Sequence, residues 1–192
     1  MKNVEELQQY VDSLTKELVL SSQTVVAAPG CLPAPCFPEI IMKVLGVVTE
    51  HEWEDLTDRA RNYLKWITVK AEAIDELAPR PMHTTTRCFE LLAIDRDGNS
   101  FGEIVERSQE LGIPSVLVRF ASLIATFLTV RLLRQQMERD REVMPSLTFS
   151  QNVDANYLNY PRTLKTLLEL FPEYKEIFYF EINEEITEDS LD

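Results

Sequence analysis

Glycine is scarce in this chain, with five residues in 192 where average composition carries roughly 7%. Phosphate-cradling loops and tight hairpins both consume glycine. Its scarcity argues against a nucleotide-binding α/β fold and for helices. Positive charge is short as well: 19 Lys and Arg stand against 32 Asp and Glu, a net charge of −13. So acidic a surface repels phosphate backbones and anionic lipid, which sets nucleic acid and membrane aside and favours basic proteins or cations as partners. Three cysteines, an odd number, suit a reducing compartment. The opening MKNVEELQQYVDSL lacks the apolar centre of a signal peptide. A cytoplasmic or otherwise intracellular protein is expected.

The residues of enzyme chemistry are thin too. Of the two histidines, His51 lies in HEWED, without the second histidine of a metalloprotease helix, and His83 lies in a loop. No nucleophile elbow or Gly-rich phosphate loop occurs. No catalytic residue is assigned, and the reading leans away from an enzyme.

What is present is helical periodicity. Val4, Leu7, Val11, Leu14 and Leu18 recur at steps of three and four, a heptad seam too short to stand alone. Residues 1–28 are therefore expected to be a docking or swapping helix. Four prolines from Pro29 to Pro38 fix φ and remove donors, marking 29–38 as an extended connection. The core domain then runs over 39–182, ahead of an acidic tail at 183–192.

Within that core, EIIMKVLGVV reads as a short buried helix, broken near Gly46. Thr49 and Glu52 read as a capping box for a helix from 50 to 77, with Trp53, Leu56, Ala60, Tyr63, Leu64, Ile67, Ala71 and Ile74 on one face. Pro114 suits a first helical turn, and the stretch after it is apolar nearly all round. Its only polar stripe is Arg119, Ser122, Thr126 and Thr129. Its uninterrupted part is shorter than the ~20 residues of a membrane span, so a helix over about 115–139 belongs at the centre of a bundle. PSLTFSQNVDANYLNYP reads as a loop, residues 162–171 as a short amphipathic helix, and Phe178, Phe180 and Ile182 as a strand needing a partner, from another chain among the options. The expected fold is mainly α: a single-domain helical bundle around the buried apolar helix, with one short C-terminal strand at most.

One stretch carries candidate metal chemistry. In AIDRDGNSFGEIVERSQELG, oxygen ligands Asp95, Asp97, Asn99, Glu103 and Glu106 fall at positions 1, 3, 5, 9 and 12. This resembles an EF-hand calcium loop, over about 25 residues. Ser100 replaces the glycine of position 6, Gly102 occupies position 8, and no second loop follows. The same letters spell a turn followed by a Ser100–Glu103 capping box, and that reading is preferred. DGNSFGEIVERSQELG is also similar to the first homology motif of the Bcl-2 family, with Glu103 where that motif has its groove arginine. Cys31, Cys36, His83 and Cys88 would make a Cys₃His set for zinc, although buried thiols explain them as well. No cofactor is expected; calcium and zinc stand as alternatives.

The function expected from the sequence is a non-enzymatic protein-interaction or scaffold module that self-associates. Its surfaces would be the seam Val4, Leu7, Val11, Leu14, Leu18 and the terminal Phe178, Phe180, Ile182. A calcium-binding regulator with one loop at 95–106 is the alternative, and a Bcl-2-like regulator the second alternative.

Overall fold

Ile67 to Ile74 satisfies two periodicities at once. Ile67, Ala71 and Ile74 fall at helical spacing, whereas Ile67, Val69 and Ala71 alternate with Thr68, Lys70 and Glu72 as a strand would. The computed structural model, which describes residues 5, 8–9, 12–13, 38–49, 53–74, 87–139, 147–153, 155–172 and 178–182, settles this in favour of the strand. The helix Asp58–Leu64 ends there, and β-structure begins at Thr68. Long-range pairing outweighs local propensity here: Val69 and Ala71 lie opposite Ala93 and Leu91 of a second strand.

The described elements are helix α1 (Pro38–Val48), helix α2 (Asp58–Leu64), strand β1 (Thr68–Ile74), strand β2 (Arg87–Ile94), helix α3 (Phe101–Glu110), helix α4 (Ser115–Arg139), strand β3 (Leu147–Val153), helix α5 (Pro161–Leu170) and strand β4 (Phe178–Ile182), with a 3₁₀ turn at Ala155–Tyr157. The strands form one sheet in the order β1-β2-β3-β4. β1 and β2 are antiparallel, whereas β2, β3 and β4 run parallel. The fold is thus a mixture of helices and sheet, not the mainly α bundle that the sequence suggested.

Three segments account for the correction. The helix expected over 50–77 ends at Leu64. CFELLAI, ahead of the loop at 95–106 and assigned no strand above, lies within β2. LTFSQNV, expected within a loop, is β3. Parallel strands require crossovers, and α3 with α4 supplies the one from β2 to β3, while α5 supplies the one from β3 to β4.

Other expectations match the described elements. α4 covers Ser115–Arg139, α5 begins with Pro161 at its first turn, and Phe178–Ile182 is a strand whose partner, β3, lies in the same chain. α1 runs unbroken through Gly46. The Thr49 hydroxyl donates to the Leu45 carbonyl at 2.7 Å, and Glu52, its partner in the expected capping box, lies outside the described residues. The heptad seam lies outside the described residues, and the side chains of Phe178, Phe180 and Ile182 are likewise outside them.

α4 is the centre of the molecule. Of its apolar stretch Ser115–Leu132, 89% is buried, under α1, α2, β1, β2, α3 and the 3₁₀ turn. By length and composition alone this stretch would cross a membrane; here protein covers it. Phe120 packs edge-on against Tyr157 with ring centroids 5.5 Å apart, and Phe127 meets Phe171 at 5.3 Å. Such ring pairs add roughly 0.5–1.5 kcal/mol each beyond the burial of their area.

α4 lies on one face of the sheet. That face presents Val69 and Ala71 from β1, then Leu91 and Ala93 from β2, and Phe149 from β3. The row along β3 should continue as apolar, and it does not: Gln151 follows Phe149, and Val153 follows Gln151.

Candidate functional site

β2 and β3 hydrogen-bond as a parallel pair from Arg87 with Leu147 to Glu90 with Ser150, and there the ladder stops. Both strands continue, to Ile94 and Val153. Between their separated carboxyl ends lies a cleft of about 230 Å³. Crevices at the carboxyl ends of parallel strands are where open α/β sheets hold ligands. Its walls are Leu91, Ala93 and Val153 from the sheet, Phe101 from the start of α3, and Arg119 and Ser122 from α4, with Gln151, Asn152 and Tyr157 completing it.

Each polar group here is held in place by a neighbour. The Arg119 guanidinium lies 5.8 Å from the centre of the Phe101 ring, and the Arg119 main-chain carbonyl accepts from the Tyr157 hydroxyl at 3.0 Å. On the far face of β3, Asn152 Nδ2 donates to Glu90 Oε1 at 2.6 Å, tying the two strands beyond the end of their ladder. Gln151 Nε2 donates to Ser122 Oγ at 3.3 Å.

Gln151 is only 4% exposed, yet among the described residues its Oε1 has no hydrogen-bond partner. Leaving a buried acceptor unsatisfied costs about 1–3 kcal/mol, and such groups are rare enough in folded proteins to call for a cause. Ser150 Oγ on the opposite face and Thr126 Oγ1 on α4 are unpartnered too, but neither lines the cleft. Gln151 therefore combines burial, an unmet acceptor and a place in a concave wall.

The cleft offers amide, hydroxyl, guanidinium and apolar groups. Its lining holds no histidine, cysteine or carboxylate among the described residues. Ser122 is the one alcohol on α4 that lines it, and its partner is an amide, which takes up no proton at neutral pH and cannot act as a base.

The residues singled out for metal lie elsewhere, in the connection from β2 to α3, and they are engaged. Asp95 is buried; its Oδ1 accepts the N–H groups of Asp97 at 2.9 Å and Asn99 at 3.0 Å. Its Oδ2 accepts Asn99 Nδ2 at 2.9 Å and, more weakly, the Tyr63 hydroxyl at 3.5 Å. Four donors use the roughly four lone-pair sites of a carboxylate. Burial pushes the Asp95 carboxyl up, but the bonds from Asn99, Asp97 and Tyr63 together hold it below the usual range. In turn, burial first and the Asp95 charge second push Tyr63 up to about 12.

Gly98 has φ of 85°, which glycine adopts at no steric cost, so DRDGN is a turn. Ser100 N–H and Oγ both donate to Glu103 Oε2, at 2.7 and 2.8 Å. This is the capping interaction that the spacing suggested, and it lowers the Glu103 carboxyl, through the backbone N–H first. Asp97 is exposed, 3.7 Å from Arg96, and Glu106 faces solvent on α3. Among the described residues no three His, Cys, Asp or Glu side chains converge as metal ligands. Of the proposed zinc set, Cys31, Cys36 and His83 lie outside the described residues and Cys88 sits on β2. The stretch similar to the Bcl-2 motif forms α3, which buries only Ile104 and Ser108.

Sequence reasoning picked out Arg119 and Ser122 as part of a polar stripe, but missed Gln151, Asn152 and Tyr157. The available signal was a glutamine standing where Phe149 and Val153 called for an apolar residue between them. Comparison with known protein families, with curated proteins and with solved structures finds no match.

Proposed function

We propose that this protein is a non-enzymatic binding protein for a small polar molecule, held between the carboxyl ends of β2 and β3. The observation that carries the reading is the buried, unmet Oε1 of Gln151 in the wall of the cleft. A ligand that donates to it recovers the hydrogen bond that folding leaves unmade. The cleft's 230 Å³ falls below the roughly 300–1,000 Å³ of sites that enclose drug-sized molecules, so the occupant is small. The test is a nuclear magnetic resonance titration of the full chain with a mixture of small polar fragments. Shifts confined to residues around 91–93, 119–122 and 151–153, abolished by Gln151→Met, support the reading; no shift there in the native chain rejects it.

Self-association, the expectation from the sequence, is a second reading. What favours it is β4, which pairs on one side only with β3 among the described residues, and an open strand edge is a template for another chain. Native mass spectrometry decides it: a multiple of 22.2 kDa supports the interface at Phe178, Phe180 and Ile182, and a bare monomer removes it.

A further inference from the structure

Resting on the binding reading above, we propose that the cleft's ligand is a neutral, extended length of amide backbone, recognised through its peptide groups. Beyond the pair Glu90 and Ser150, no main-chain hydrogen bond joins β2 to β3 among the described residues. The next bridge on β2 is that of Ile94 with Ser100. Residues 91–93 and 151–153 therefore stand as two strand edges with no ladder between them. Their outer sides are taken, by β1 and β4 respectively.

Main chain reaches the cleft from both strands. Leu92 and Asn152 line it, yet alternation turns their side chains away from the α4 face. What they bring to a cleft on that face is main chain. Open strand edges hold extended peptides through main-chain N–H and C=O groups, with side chains seated in pockets between. Each open length spans roughly 10 Å, enough for two successive peptide groups at about 3.3–3.6 Å per residue.

The side chains fit the same occupant. The unmet Oε1 of Gln151 takes the N–H of a peptide group and leaves Nε2 on Ser122. Leu91, Ala93, Phe101 and Val153 surround a small apolar side chain. A charged ligand is disfavoured. No carboxylate among the described residues lines the cleft to meet an ammonium, and Arg119, its one cationic side chain, is already engaged. A buried charge without a partner costs far more than a buried amide whose hydrogen bonds are made.

The experiment titrates three probes of similar length into the full isotope-labelled chain: N-acetylalanine methylamide, the methyl ester of O-acetyllactate, and zwitterionic alanylalanine. The ester keeps both carbonyls of the diamide and has oxygen in place of each N–H. The expected result is that the diamide shifts the resonances of residues 91–93 and 151–153 with affinity about tenfold or more above either of the others. Gln151→Met then narrows the gap between diamide and ester. Equal binding of diamide and ester overturns recognition through peptide groups, and alanylalanine binding as tightly as the diamide overturns the neutral assignment. Silence from all three probes, while the fragment mixture still shifts the cleft, overturns the ligand class and leaves the binding reading standing. Silence from the probes and the mixture together overturns both.

Discussion

The guanidinium of Arg131, near the middle of α4 and 5% exposed, meets the carboxylate of Asp12 at 3.0 Å across 119 residues of chain. Its Nη2 donates to the Leu170 carbonyl at 2.5 Å, and its Cζ stands 4.5 Å from the centre of the Phe171 ring. One buried cation thereby joins the N-terminal segment, the central helix and the end of α5. Asp12 is 44% exposed and also accepts from Gln8. The two partners are thus unequal. Arg131→Ala is expected to cost about 3–5 kcal/mol, since it strands a buried carbonyl and opens a void, whereas Asp12→Ala costs about 1 kcal/mol. Urea unfolding of the two variants checks the inequality, and equal losses would contradict it.

Two glycines in helices respond oppositely to the same substitution. A Cβ on Gly46 would stand 2.9 Å from the Trp53 indole nitrogen, while one on Gly102 meets nothing within 4 Å. Trp53 is itself held by the Arg61 guanidinium, 5.4 Å from its ring centre. Gly102→Ala is expected to gain up to about 1 kcal/mol from helix propensity. Gly46→Ala is expected to lose about 1–3 kcal/mol as the indole is displaced. Thermal unfolding of both distinguishes the cases.

Gln151→Met should separate stability from binding. Removing an amide whose acceptor is unmet deletes a cost, and Ser122 keeps its freedom to donate within its helix. The variant is expected to be as stable as the native chain or up to about 1–2 kcal/mol more stable, while the proposed fragment-induced shifts at the cleft are lost. A loss above 2 kcal/mol in urea unfolding would show that the amide serves the fold.

Acid stability follows from Asp95. Its folded carboxyl lies below the ordinary value of about 3.9, so the unfolded chain binds the proton more readily. The stabilisation is complete above about pH 5 and drains away as pH falls through the folded value. Asp95→Asn should flatten that acid limb when unfolding free energy is measured from pH 6 downward.

Tyr63 acts at the other end of the scale. Its raised value of about 12 means that the neutral phenol is the form the fold favours. That contribution is complete below about 10, the ordinary tyrosine value, and is lost as pH rises through 12. In an ultraviolet titration Tyr63→Phe should remove one late-ionising step.

The helices were legible in the sequence because their signals are local. Pro161, the Ser100–Glu103 cap and the unbroken apolar run of α4 each speak within a few residues. Of the sheet, β4 was legible and β1 and β3 were not, for two different reasons. β1 obeys both periodicities, and only its pairing with β2 chooses between them. β3 was hidden by its own site: Gln151 breaks the alternation that would have announced LTFSQNV as a strand. In the loop at 95–106 the same letters carry two patterns, metal spacing and a turn with its cap; Asp95 and Glu103 accept main-chain N–H groups, while Asp97 and Glu106 face solvent.

The wrapping of α4 has a consequence for the order in which the chain is made. α1, α2, β1, β2 and α3 all precede it, and a ribosome delivers residues from the N-terminus at about 5–20 per second. The most apolar helix therefore emerges after most of the pieces that shelter it, with the 3₁₀ turn at Ala155–Tyr157 and the end of α5 still to come. β3 follows later still, carrying Gln151. Phe171, which meets Phe127 of α4, and the Leu170 carbonyl that Arg131 reaches arrive only with the end of α5, so a nascent chain paused after Arg139 still has its core open on that side.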